Sequence, residues 1–78
     1  IMKFPEDFTV KNHQIVQNAK QWLLKKDNEI IISIVGGGYG LYGNGIDTFE
    51  MWDYREDEPK GHLTKDEINT HLQNNPIT

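Results

Sequence analysis

The sequence predicts a small α+β domain in α-β-β-α order: an N-terminal amphipathic helix, a glycine-kinked antiparallel β-hairpin or three-stranded meander, and a short C-terminal helix. Three observations lead there. Apolar residues recur at helical spacing near the N-terminus, four isoleucines and a valine crowd into residues 29–35, and a capping-box motif stands at Thr64. The 78 residues are expected to form one domain, 1–78. A chain of this size buries only about 60 to 65% of its unfolded surface, so its core is thin.

The first element is read over residues 9–26, where Ile15, Val16, Ala19, Trp22 and Leu23 form one stripe at spacings of three and four. Asp7 or Thr9 stands ready as N-cap, Lys25 and Lys26 favour the C-terminal end of the dipole, and Asp27-Asn28 breaks the helix with a turn. Trp22 on this stripe is assigned to the core. Residues 29–35 make the first strand because β-branched side chains fit a pleated sheet. The second strand, residues 46–55, carries Thr48, Phe49, Met51, Trp52 and Tyr54, and the polar run 56–61 ends it. In the last helix Thr64 and Glu67 cap each other reciprocally, Leu63 and Ile68 form a hydrophobic staple, and Asn74-Asn75-Pro76 stops the element.

Six of the seven glycines lie in residues 36–45, and Gly38-Tyr39-Gly40-Leu41-Tyr42-Gly43 fits the dinucleotide-binding pattern G-x-G-x-x-G literally. That pattern works only where a helix follows at once and aims its N-terminus at the phosphates. Here Asn44, Gly45, Ile46, Asp47, Thr48 and Phe49 follow, a turn pair and then β-formers. A nucleotide fold is therefore rejected. Asn44-Gly45 instead predicts a two-residue type I′ hairpin turn, whose register sets Gly40 opposite Phe49, Gly38 opposite Met51, Gly37 opposite Trp52 and Gly36 opposite Asp53. Large side chains would then cover bare glycines.

Alternation sorts the hairpin onto two faces. Ile30, Ile32, Ile34, Phe49 and Met51 face the helices; Ile31, Val35, Tyr39, Leu41, Ile46, Trp52 and Tyr54 lie on the other side with Thr48 and Glu50. Such an aromatic outer face on so small a chain reads as an interaction surface. The candidate partner-binding residues are Tyr39, Leu41, Tyr42, Glu50, Trp52, Asp53 and Tyr54.

The net charge of −4 is uneven. Residues 1–26 hold five lysines against Glu6 and Asp7, a local charge of +3, whereas residues 47–58 hold six acids against Arg55, a local charge of −5. The acidic segment disfavours direct nucleic-acid binding and suits a basic protein partner. Two exposed hairpin edges invite a homo-oligomer. With no cysteine there is no disulfide or thiol chemistry, and no apolar run reaches the ~20 residues of a membrane helix, so no membrane association is expected. No signal-like apolar segment follows Lys3, and the expected location is the cytoplasm.

His13, His62 and His71 match no metal motif, Ser33 has no nucleophile-elbow context, and Glu50 and Asp53 fall on opposite strand faces, wrong for an acid-base pair. Neither enzyme chemistry nor cofactor nor metal is expected. The leading reading is a small non-enzymatic interaction module, an inhibitor or adaptor of the kind phage and mobile elements encode, the last clause by analogy alone. Two alternatives stand beside it. One is a small-ligand or nucleotide binder using the loop amides of Gly36, Gly37, Gly38, Tyr39 and Gly40; the other is a purely self-assembling structural subunit.

Overall fold

The computed structural model describes residues 1–38 and 43–78. Five antiparallel strands run in sequence order across one sheet: β1 (Thr9–Asn12), β2 (Ala19–Lys26), β3 (Glu29–Gly37), β4 (Phe49–Asp53) and β5 (Lys60–Leu63). One helix, α1 (Lys65–Asn74), follows.

The expected N-terminal helix does not form, and the α-β-β-α order fails with it. Residues 9–26 are instead the hairpin β1–β2, in which Val10 pairs with Trp22 and Lys11 with Gln21. Within the supposed helical stripe, Ile15 projects into solvent from the β1–β2 turn. That turn is stabilised by His13, whose Nδ1 accepts from the N–H groups of Ile15 and Val16, and by Asn18 at φ 65°. β2 is buried in part on both faces, with Leu24 on one and Leu23 on the other. A strand filled on both sides reads as a continuous apolar run, which periodicity confuses with a helix. The Ile-rich β3 beside it decides the matter, because paired strands satisfy both backbones and stack their side chains.

The two-residue hairpin turn lies at Asp27-Asn28, where both residues have positive φ, 53° and 68°, between the paired Lys26 and Glu29. Asn44-Gly45 does something else. The Asn44 Oδ1 accepts from the N–H groups of Ile46, Asp47 and Thr48, while the Thr48 Oγ1 accepts from the Asn44 N–H, closing a compact loop on its own side chains. β3 and β4 consequently pair with Ile32 opposite Asp53, Ser33 opposite Trp52, Ile34 opposite Met51 and Val35 opposite Glu50. Each β4 residue meets a β3 residue four positions earlier than the Asn44-Gly45 turn implied. An even shift preserves the faces, since side chains alternate with a period of two.

One place breaks the parity. A register shift between Leu24 and Lys25 leaves Ile31 unmatched on β3, so Ile31 packs against the core while Ile30 is 40% exposed, the reverse of the expected assignment.

The core lies on one side of the sheet. Leu24, Ile32, Ile34, Phe49 and Met51 meet Ile68 and Leu72 of α1, and Phe4 and Phe8 complete the cluster. The Phe4 ring makes edge-to-face contacts with Phe8, Trp22 and Phe49 at centroid distances of 5.3, 5.6 and 5.0 Å. The sheet is thus covered by the N-terminal segment where a second helix was expected. α1 begins as its sequence indicates, with Thr64 Oγ1 accepting from the Glu67 N–H and the Glu67 carboxylate accepting from the Thr64 N–H.

Candidate functional site

Two sites follow from the alternation along β4. Phe49, Met51 and Asp53 point toward α1; Glu50 and Trp52 point to the opposite face.

On that opposite face Trp52 stands beside Ser33, which stands beside Leu23, and Glu50 beside Val35, which stands beside Gln21. No second layer of secondary structure covers these side chains among the described residues. Leu23, Ser33 and Val35 are nevertheless buried, and the Gln21 Nε2 donates to the Ser33 Oγ at 2.9 Å. What remains open is an aromatic pair. Trp52 and Tyr54, 39% and 50% exposed, lie with ring centroids 5.4 Å apart, and the exposed acids Glu56, Asp57 and Glu58 follow in the chain. Ile46, assigned to the same face, is exposed in the Asn44 loop. Tyr39, Gly40, Leu41 and Tyr42 lie outside the described residues.

Asp53, grouped with the partner-binding residues by sequence, sits on the core side and is 2% exposed. It is the centre of a polar network. The Arg55 Nε and backbone N–H donate to its Oδ1 at 2.9 and 3.0 Å, the Arg55 Nη2 donates to its Oδ2 at 2.8 Å, and the His71 Nε2 lies 2.8 Å from the same oxygen. Burial alone would raise the Asp53 pKa, but the hydrogen bonds from Arg55 and His71 and the charge of Arg55 more than offset it and hold the value at about 2. Arg55 also donates to the carbonyls of Asn75 and Pro76, tying the end of β4 to the chain beyond α1.

Sequence reading missed this network because Asp53, Arg55 and His71 belong to no short motif. The one available signal was parity: a carboxylate two positions from Met51 must share its inward face. Asp53, Glu56 and His71 also bring potential metal-ligand atoms within 4.8 Å of one another. Both Asp53 oxygens are already engaged, so an ion would have to displace Arg55. The imidazole over a carboxylate has the form of a catalytic dyad, yet among the described residues no hydroxyl is hydrogen-bonded to the His71 ring. The contacts form a clamp between the end of β4, α1 and the residues that follow α1.

Close contacts account for Gly36 and Gly38. A Cβ on Gly36 would lie 2.6 Å from the Gly45 Cα and 3.1 Å from the Phe49 ring, and one on Gly38 would lie 2.7 Å from the Val16 side chain. A side chain at either position would collide with its neighbours. Gly36 and Gly37 do border a shallow hollow of about 280 Å³ with Lys20, Trp22 and Asn44. A larger groove of about 430 Å³ runs between α1 and β5, bordered by Leu63, Glu67, Thr70 and His71.

Among the described residues the fold is a five-stranded antiparallel meander with one helix on its core side. No protein-family model, curated protein or solved structure matches it. Among the described residues no helix is long and apolar enough to cross a membrane.

Proposed function

We propose that the chain is a small non-enzymatic interaction module that docks a protein partner on the sheet face opposite α1, through Trp52 and Tyr54 flanked by Glu50 and the acids 56–58. The observation that carries this reading is the solvent-exposed Trp52–Tyr54 pair on a face that, among the described residues, has no second layer. Tryptophan and tyrosine supply large contact area at small entropic cost, and a nearby acidic segment selects a basic partner. Asp53 contributes indirectly, by anchoring the strand end that presents both rings.

The test is capture from native lysate, identification of the species retained, and titration of that purified species. Trp52→Ala is expected to weaken binding by roughly tenfold or more, the scale of an aromatic hot spot, in a chain that still melts cooperatively. Equal affinity for wild type and variant would overturn the assignment of this face.

A further inference from the structure

The two edges of the sheet are not equivalent. β5 is a poor template for a further strand: its pairing with β4 is interrupted by a register shift, and His62 within it has φ 54°. β1 carries no such protection. Its four residues pair with β2 in unbroken register and it contains neither proline nor bulge.

The hydrogen-bonding direction of β1 follows from its end. The His13 N–H donates to the Ala19 C=O at 2.9 Å, continuing the register in which Lys11 meets Gln21 and Thr9 meets Leu23. Alternate residues of an antiparallel strand turn their backbone groups to opposite sides, so Thr9 and Lys11 bond to β2 while Val10 and Asn12 aim N–H and C=O outward. Val10 is also 52% exposed, although its cross-strand neighbour Trp22 belongs to the aromatic cluster over the core. An apolar side chain and an outward-facing backbone pair thus coincide at the middle of an edge whose pairing is unbroken.

We infer that β1 is a self-association edge, on which a second copy of this chain pairs antiparallel about a twofold axis at Val10, joining two five-stranded sheets into one of ten. A twofold axis keeps equivalent faces on the same side, so it must pass through a residue pairing with its own counterpart. Lys11 is unsuitable because its backbone bonds to β2 and two lysines would oppose each other. At Val10 both outward bonds are exchanged, valine meets valine beside Trp22, and Thr9 meets Lys11 of the second copy. This self-complementarity favours a second copy over an unrelated strand. Because β5 is a poor template and β1 is the other edge among the described residues, the contact closes as a dimer and does not propagate. The two Lys11 side chains fall diagonally on one face, so added salt strengthens the dimer, whereas it would weaken docking of an acidic strand. The inference is independent of the Trp52 face.

Sedimentation equilibrium of the intact chain at millimolar concentration is expected to show a dimer that tightens with salt. Val10→Lys, which sets two lysines opposite each other, is expected to weaken association by roughly tenfold or more. Trp52→Ala is expected to leave it unchanged. A monomer throughout, or a dimer lost in Trp52→Ala and retained in Val10→Lys, would overturn the proposal. Should Val10→Lys fail to fold, amide exchange of the wild type decides: the Val10 N–H is expected to gain protection with concentration, and concentration-independent exchange overturns the edge assignment.

Discussion

The Asn69 side-chain amide holds both backbone groups of Phe4: its Oδ1 accepts from the Phe4 N–H at 2.8 Å and its Nδ2 donates to the Phe4 C=O at 3.0 Å. The amide takes the place of a neighbouring strand and fastens the N-terminal aromatic segment to α1. Removing it in Asn69→Ala leaves two part-buried backbone groups without partners, which is expected to cost about 1 to 3 kcal/mol in urea denaturation. A loss within the scatter of a surface substitution would show that the rings alone hold Phe4 in place.

Asp53 makes stability depend on acid. Its pKa is about 2 in the folded chain against 3.8 without the fold, so the folded state favours the carboxylate. The resulting stabilisation, on the order of 2 kcal/mol, is present in full above the unfolded value and is lost as pH falls from about 4 toward 2. Asp53→Asn is expected to remove this component, and the difference between the two stability-against-pH curves isolates it from other acids. Parallel curves from pH 5 to pH 2 (roughly the range of carboxylate titration) would contradict the clamp.

The Asp27-Asn28 turn sets the β2–β3 register. At φ 68°, Asn28 occupies a conformation that a Cβ resists unless the side chain is short and polar. Asn28→Ala is expected to lose about 1 kcal/mol, and Asn28→Gly to match or exceed the wild type. Thermal melts of both variants decide; if alanine is tolerated as well as glycine, the turn does not govern the register.

Gly36 and Gly61 make a matched pair. A methyl on Gly36 would strike the backbone of Gly45, which cannot swing aside, whereas a Cβ on Gly61 meets nothing within 4 Å. Gly36→Ala is expected to destabilise by about 1 to 3 kcal/mol, with Gly61→Ala within ~0.5 kcal/mol of the wild type. Equal melting temperatures for the two variants would refute the contact account of the glycine segment.

Sequence by itself determined the features that depend on near neighbours. The Thr64–Glu67 capping box is closed within four residues, the isoleucines of β3 are β-formers wherever they pair, and the sharing of a face by Ile32, Ile34 and Met51 survived a register error because that error was even. Tertiary structure alone decided the rest. Residues 9–26 have a stripe compatible with a helix, and only the presence of β3 as a pairing partner makes them a hairpin. The burial of Asp53 required Arg55 and His71 to converge on it, the latter from 18 positions away, and Phe4 reached Asn69 across 65. Local chemistry is written in spacing, but contacts that span the chain exist only once folding has brought the segments together.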